Sequence, residues 1–208
     1  MRHELPVPGI SLQRSLGRCM AERRSVRVYA DAPIPLSALS ELLWALQGRT
    51  GEGVRASPSA GGLYPLRVHV LVRRVTGLAR GMYAYEPDEH VLERLTDSTS
   101  EPELGDVGIG EQPWLDESAA VIAIGADIGT ATDHFESQPP RGERGARYAF
   151  IEAGAAAENA HLAATALDLG LVLVAGFDDT RARAAFRFPP EFLPAVLLCV
   201  GDRADPAR

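Results

Sequence analysis

The sequence predicts a single domain that combines helices and strands. Its 208 residues are 46% hydrophobic and 24% charged, which is enough apolar material to bury one core. Residues 66–72 alternate apolar side chains on one face, as a strand does, and residues 81–85 and 90–95 have the pattern of two shorter strands joined by a turn. The longest helical pattern covers residues 147–169 and is unusually rich in alanine.

The composition and charge exclude several classes of protein. The formal net charge is −7, whereas a nucleic-acid-binding surface needs a basic balance. No apolar run is long enough to span a bilayer, and the N-terminus lacks the apolar segment of a signal peptide. Cys19 and Cys199 lie in apolar patterns typical of small core residues, which fits a reducing compartment. We therefore expect a cytoplasmic protein that binds neither nucleic acid nor membrane.

The first fifty residues are predicted to form a flexible arm and two helices. Residues 1–10 make the arm, and residues 11–208 make the single domain. Ser11 can cap the first helix, whose apolar face is formed by Leu12, Leu16, Cys19 and Met20. Gly48 ends a second helix, which starts at Ser37 and has its apolar face at Leu39, Leu42, Leu43 and Leu46.

Three arginines follow the first helix and make the first candidate site. We call residues 23–27 the arginine segment; it contains Arg23, Arg24 and Arg27, with Ser25 among them. Guanidinium groups beside a hydroxyl suit a doubly charged phosphate. A solvated helix end can have the same composition, because cations also favour the C-terminal end of the helix dipole. The pattern alone leaves both interpretations open.

A loop of small residues, residues 55–65, makes the second candidate site, and we call it the glycine loop. Two prolines, two glycines and two serines interrupt regular structure there. Gly61 and Gly62 have no Cβ, so a flat ligand can lie against the main chain, and the hydroxyls of Ser57 and Ser59 can donate and accept hydrogen bonds. A plain surface turn before the next strand is the alternative.

The second half of the chain alternates apolar strands with polar connections. We expect at most a short helix in residues 96–110, a buried strand in 119–125 and a long polar loop in 127–145. The alanine-rich helix is followed by a strand at 171–175, a turn at 176–179, a short helix at 180–186 and a last core strand at 195–200.

The sequence lacks the motifs of several kinds of catalytic site. The five histidines show no metal-ligand spacing and the two cysteines are not paired, so we expect no metal. There is no Gly-x-Ser-x-Gly elbow and no Gly-Lys-Ser/Thr phosphate loop. The sequence therefore does not indicate a hydrolase or a nucleotide triphosphatase.

An ordered set of motifs resembles the FMN-dependent nitroreductase superfamily, and more narrowly its SagB-type dehydrogenase branch. The set includes the arginine segment and the glycine loop, and it extends over nearly the whole chain. Its further members are Leu42 to Gly48, Gly81 to Tyr85, Gln112 to Trp114, Arg144 to Tyr148, Ile151 to Gly154 and Val174 to Asp179. One such motif would be weak evidence, but the ordered set is strong.

The resemblance implies a fold, a cofactor and an assembly. The fold would be α+β, a nitroreductase-like three-layer sandwich in which helices flank a central mixed, mainly antiparallel sheet. Members of the superfamily are usually intertwined homodimers with FMN at the interface between the two subunits. The alanine-rich helix suits that interface, because small side chains let another backbone approach closely.

The resemblance also implies which residues bind the cofactor. The phosphate and the pyrimidine edge of FMN would be held by Arg23, Arg24, Ser25 and Arg27, where a cation stabilises the reduced flavin. The isoalloxazine ring would be lined by Pro58, Ser59, Ala60 and Gly61. The remaining expected contacts are the backbone N–H groups of Ala175 and Gly176 near flavin N5 and O4, Gln112, and Arg203 or Arg208 in place of the family's C-terminal basic residues.

The activity that the resemblance implies is that of an FMN-dependent oxidoreductase. Hydride would pass from NAD(P)H through flavin N5 to a nitro- or quinone-like acceptor in ping-pong turnover. The alternatives are an azoline dehydrogenase of peptide natural-product maturation and a flavin-binding subunit without turnover. The catalytic Lys-Tyr pair of the azoline enzymes corresponds here to Arg147 and Tyr148. Since arginine exchanges protons poorly, Arg147 would position the substrate or stabilise charge, and Tyr148 would handle the proton.

Overall fold

The structure, a computed structural model, describes residues 1–9, 13–95 and 102–204 of the chain. Its strands are β1 (Arg2–Glu4), β2 (Ile34–Pro35), β3 (Arg49–Gly51), β4 (Val54–Arg55), β5 (Leu66–Val72), β6 (Val75–Thr76), β7 (Gly81–Glu86), β8 (Val91–Arg94), β9 (Ala120–Asp127), β10 (Leu169–Val174) and β11 (Phe192–Asp202). Its helices are α1 (Leu16–Glu22), α2 (Leu36–Gln47), α3 (Trp114–Glu117), α4 (Ile128–His134), α5 (Arg144–Ala166) and α6 (Asp179–Ala185), with a single 3-10 turn at Ala60–Gly62.

Seven strands form one central sheet in the order β1-β8-β7-β5-β9-β11-β10. Every neighbouring pair in this sheet is antiparallel. A parallel pair, β2 with β6, lies in a separate small sheet. The alternation predicted for residues 66–72 is confirmed, since Leu66, Val68, Val70 and Val72 all join the larger core cluster while Leu71 joins the cluster on the opposite face.

Helices cover both faces of the central sheet. α2 and α5 pack on one face, where Leu39, Leu42, Leu43 and Leu46 are fully buried. α3 and α6 lie on the other face, where Leu115 and Ala182 pack in a second cluster with Phe186. The expected α+β three-layer sandwich is therefore confirmed. Within the ranges that the structure describes, no helix has both the length and the apolar content to cross a membrane.

The N-terminal residues add an edge strand to the sheet. Residues 2–4, which we expected to lie in a flexible arm, pair with β8, and Leu5 is buried in the larger core cluster. The first helix begins at Leu16, with Ser15 as its cap, because the Ser15 side chain accepts a hydrogen bond from the Arg18 N–H. The predicted cap at Ser11 and the contact residue Leu12 lie outside the described residues.

A helix replaces the first part of the long loop predicted for residues 127–145. α4 begins at Ile128 because the Asp127 carboxylate accepts hydrogen bonds from the Thr130 N–H, at 2.9 Å, and from the Thr130 hydroxyl, at 2.8 Å. The buried residues of this region, Ala131 and Phe135, are four apart and lie on one side of the helix. The prediction missed α4 because only these two positions in a polar stretch carry its apolar pattern.

The long alanine-rich helix, α5, runs from Arg144 to Ala166 and so begins three residues before the predicted start. Seven of its eleven buried residues are alanine, which lets the sheet and α2 approach closely. Gly145 allows a closer contact still, because a Cβ there would collide with the backbone of Ala131 and Thr132 in α4. The helix ends before Asp168, whose φ of 59° turns the chain into β10.

We predict that Gly145→Ala destabilises the protein by about 2–3 kcal/mol, because the added methyl group overlaps backbone atoms of α4 that cannot move aside freely. The matched control is Gly17→Ala in α1, where no atom lies within 4 Å of the new Cβ. That change should raise the free energy of unfolding by up to about 1 kcal/mol, as alanine favours helix. Urea denaturation of the two variants measures both effects, and equal stabilities would show that α4 and α5 are not in this contact.

Candidate functional site

The arginine segment is fixed through its backbone between β10 and α5. The Val26 N–H donates to the Leu171 carbonyl at 3.0 Å, next to a parallel bridge between Ser25 and Leu171. On the helix side, the carbonyl of Arg24 lies 3.1 Å from His161 Nε2. Burial lowers the pKa of His161 below its ordinary value of 6.5, so the ring is neutral at pH 7 and Nε2 carries the proton that this carbonyl accepts.

The three guanidinium groups of the arginine segment differ in their surroundings. Arg23 is 3.6 Å from the Glu158 carboxylate, and Arg27 lies over the Trp114 ring at 5.4 Å from its centroid. Arg24 instead donates to the carbonyls of Ala21 and Arg23, at 2.9 and 2.7 Å, and so caps the end of α1. Arg23 and Arg27 are therefore better placed than Arg24 to meet a phosphate.

The glycine loop is fastened to α5 at two points. The Ala60 N–H donates to Glu152 Oε1 at 2.7 Å, and the buried hydroxyl of Ser57 accepts from Asn159 Nδ2 at 3.1 Å. The Ser59 hydroxyl accepts from the Tyr64 N–H at 2.8 Å. Both serine hydroxyls, which the sequence offered as ligand groups, thus hold the loop itself in shape.

The two glycines at the centre of the loop have different environments. A Cβ on Gly61 would lie 3.2 Å from His134 Nε2 and 3.5 Å from Phe135 Cζ, so α4 closes that side of the backbone. Gly62 has no atom within 4 Å of the same position and is exposed. Its φ of 67° and that of Gly61, 61°, lie in the left-handed region that favours glycine. Both glycines are exposed, and the side on which a Cβ would stand is open at Gly62 and faced by His134 and Phe135 at Gly61.

The residues of α5 that hold the two segments lie on different sides of the helix. Glu152 and Asn159, which hold the glycine loop, are seven residues apart and share one side. Glu158 and His161, which hold the arginine segment, lie roughly 140° around the helix from them, at about 100° per residue. A strip of exposed residues, Ile151, Gly154 and Glu158, lies on the surface of α5 between Glu152 and His161. Within one chain, both segments border this strip, from opposite edges.

The turn after β10 presents free backbone donors. Ala175 and Gly176 are exposed, and neither N–H group makes a hydrogen bond to any residue in the described part of the chain. The carbonyl of Gly176 is fixed by Gln112 Nε2 at 2.6 Å and by the Ile109 N–H at 2.9 Å. The Gln112 amide nitrogen, predicted as a cofactor contact, is thus used to position this turn.

Arg203 lies close to the arginine segment in the fold. It forms an antiparallel bridge with Tyr29, whose hydroxyl is 3.0 Å from the Val26 carbonyl and 2.9 Å from the Cys199 carbonyl. Burial raises the pKa of Tyr29 well above its ordinary value of 10.0, so the phenol stays protonated and can donate to either carbonyl. Arg208, the other basic residue considered at the C-terminus, lies outside the described residues.

The predicted catalytic pair lies near the glycine loop, with two neighbours that the sequence did not indicate. The Tyr148 hydroxyl donates to Gln138 Oε1 at 2.9 Å, and Arg147 is exposed on α5. The Tyr148 ring packs edge-on against Phe135, with the ring centroids 4.9 Å apart. His134 and Phe135 were not singled out because they fall in the stretch predicted to be a loop.

Two cavities in the described part of the chain border α5 or the glycine loop, and the arginine segment lines neither of them. One, of about 360 Å³, lies between α1, α2 and α5 and is lined by Leu16, Trp44 and Leu162. The other, of about 270 Å³, lies at the far end of the glycine loop beside Tyr64 and Arg67. Among the described residues, no group of three or more histidine, cysteine, aspartate or glutamate side chains could hold a metal ion.

The fold and the order of these segments are those of a known family of oxidoreductases. The model of the nitroreductase family matches residues 20–202, and the chain belongs to this family. A protein of Methanocaldococcus jannaschii described as a nitroreductase is 34% identical over 203 residues, which cover 97% of this chain and 98% of that protein. The membership makes the protein an oxidoreductase of a family whose members generally bind a flavin.

Two crystal structures of proteins also described as nitroreductases are similar. The one from Ralstonia eutropha JMP134 superimposes with a TM-score of 0.79 at 25% identity, covering 98% of this chain and 90% of that one. The one from Anabaena variabilis has a TM-score of 0.80 at 25% identity, and it matches 98% of this chain but 42% of its own. This chain therefore spans less than half the length of the Anabaena protein.

We predict that Glu152→Ala costs about 1–3 kcal/mol of stability, because it leaves the Ala60 N–H of the glycine loop without its acceptor. Glu152→Gln keeps a carbonyl oxygen at the same place and should cost less. Chemical denaturation measures both, and limited proteolysis of the Ala variant should show earlier cleavage in residues 55–65. If the Ala variant is as stable as the Gln variant, Glu152 does not hold the loop.

Proposed function

We propose that this protein is a cytoplasmic, FMN-dependent oxidoreductase that works as a homodimer. The single observation that carries the proposal is the free pair of backbone donors at Ala175 and Gly176, at the end of the strand that holds the arginine segment. Ser25 bridges Leu171, four residues before Ala175, so the two lie about 13 Å apart along an extended chain. Cations at one end and neutral donors at the other suit a ligand with a phosphate and a polar ring.

The residues present fit FMN at each part of that ligand. Arg23, Arg27 and the exposed hydroxyl of Ser25 can hold the phosphate dianion. The unbonded N–H groups of Ala175 and Gly176 can donate to acceptors on the ring edge. The open backbone at Gly62 can lie against the flat face. When bound, FMN supplies the redox chemistry, taking hydride from NAD(P)H and passing it to a nitro- or quinone-like acceptor in ping-pong order.

The exposed strip of α5 supports the homodimer. Ile151 is 63% exposed and Phe150 46% exposed on this helix, and large apolar side chains at these positions gain by being covered. A second copy packed along the strip would bring its glycine loop to the arginine segment of the first, since both segments border the strip. Each flavin site would then combine the arginine segment of one protomer with the glycine loop of the other.

The SagB-type branch and its azoline chemistry remain an alternative within this proposal. It is favoured by the position of Tyr148, whose ring packs on Phe135 beside Gly61. Against it, the lysine of the Lys-Tyr pair is replaced by Arg147. Turnover of a heterocyclised peptide, compared with turnover of a quinone, separates the two activities.

We predict that the purified protein takes up FMN and that NADH or NADPH bleaches the bound flavin. Arg23→Gln and Arg27→Gln should each weaken FMN binding by about 10-fold or more, because each removes one charge-assisted hydrogen bond to the phosphate. The control is Arg18→Gln, which removes an exposed guanidinium paired with Glu22 in α1 and should leave the affinity unchanged. Absorbance titration measures the affinity. A protein that stays colourless in excess FMN contradicts the proposal.

A further inference from the structure

We infer that His134 donates the proton that the acceptor takes up together with hydride. This inference rests on the proposed function and adds to it a residue that neither the motifs nor the family comparisons assign. It starts from the place of the imidazole: His134 is the last residue of α4 and is exposed, and its Nε2 is the nearest atom to the side of Gly61 where a Cβ would stand.

The imidazole is free to act on a ligand. His134 makes no hydrogen bond to any residue that the structure describes, whereas Tyr148 has committed its hydroxyl to Gln138. Arg147 cannot exchange a proton near neutral pH. His69 and His161 are buried and bonded to backbone carbonyls. Histidine is the side chain that exchanges a proton most readily in this range, so His134 is the best-placed proton donor beside the loop.

A row of rings holds the imidazole in position. His134 meets Phe135 edge-on, with centroids 4.6 Å apart and planes at 84°, and Phe135 meets Tyr148 in the same way. Phe135 is buried at 7% exposure, so it is a fixed support rather than a mobile side chain. An exposed imidazole would otherwise turn freely about its side-chain torsions. The support restricts it to the neighbourhood of Gly61 and the open backbone at Gly62.

The proton balance of the reaction requires such a donor. A nitro group becomes a nitroso group and water by taking up two electrons and two protons. The hydride brings both electrons and one of the protons, so one further proton is needed. A quinone becomes a hydroquinone with the same uptake. In the proposed function, bound FMN would supply the hydride. The protonated ring of His134 would break its Nε2–H bond to give the remaining proton to an acceptor oxygen, and the neutral imidazole left behind would regain a proton from solvent.

The test separates the two half-reactions. In His134→Gln and His134→Ala, FMN affinity and the rate of flavin reduction by NADPH or NADH should match the wild type. The rate of reoxidation by 1,4-benzoquinone should fall by about 100-fold, a typical loss for a missing general acid. The control, His3→Gln on the edge strand β1, should behave as the wild type.

A second readout does not depend on turnover. Addition of 4-nitrophenol to the flavin-loaded wild type should shift the NMR resonance of the His134 ring and leave that of His3 in place. An unchanged reoxidation rate in both His134 variants, or an unmoved His134 resonance, overturns the inference while flavin reduction still supports the proposed function. Failure of the wild type to bind FMN or to be reduced overturns both.

Discussion

One helix, α5, determines where both candidate binding segments lie. It holds the glycine loop through Glu152, whose carboxylate is 6% exposed and accepts the Ala60 N–H at 2.7 Å. It holds the arginine segment through the His161 ring and the Arg24 carbonyl. A buried carboxylate and a buried imidazole are costly unless they are bonded, so each fixes the segment that it contacts. Most of the other buried residues of this helix are alanine, whose small side chains let Glu152 and His161 lie close to the sheet.

Two cavities border α5 or the glycine loop, and the arginine segment lines neither of them. The anchors lie on different sides of α5, and the exposed strip with Ile151 separates them. In the proposed homodimer, a second copy that covers this strip would bring together the two segments that one copy keeps apart. The proposal would then account for both the exposed apolar residues of the strip and the separation of the two segments.

Much of the fold could be predicted from the sequence, because strands and helices carry strong periodic patterns. The alternation at residues 66–72 and the apolar run at 119–125 predicted two central strands, and the ordered motifs predicted the family. α4 was missed, since its capping Asp127 lies in a polar stretch with few apolar residues. Glu152 belongs to one of these motifs, but its role was not predicted, because an acidic residue on a helix ordinarily faces solvent. Only the structure shows that it is buried and bonded to Ala60. That the Ser57 and Ser59 hydroxyls accept hydrogen bonds that hold the loop follows only from the coordinates.

The claim that each flavin site combines segments from two copies is tested most directly with two variant chains, each of which is expected not to bind FMN by itself. One carries Arg23→Ala and Arg27→Ala, and the other carries Gly62→Val, which fills the open side of the glycine loop and strains a left-handed backbone position. The chains are co-expressed with different tags, and the mixed dimer is isolated. If each site combines segments from two copies, neither variant alone binds FMN, while the mixed dimer regains one of its two sites. A mixed dimer as empty as its parents contradicts the account.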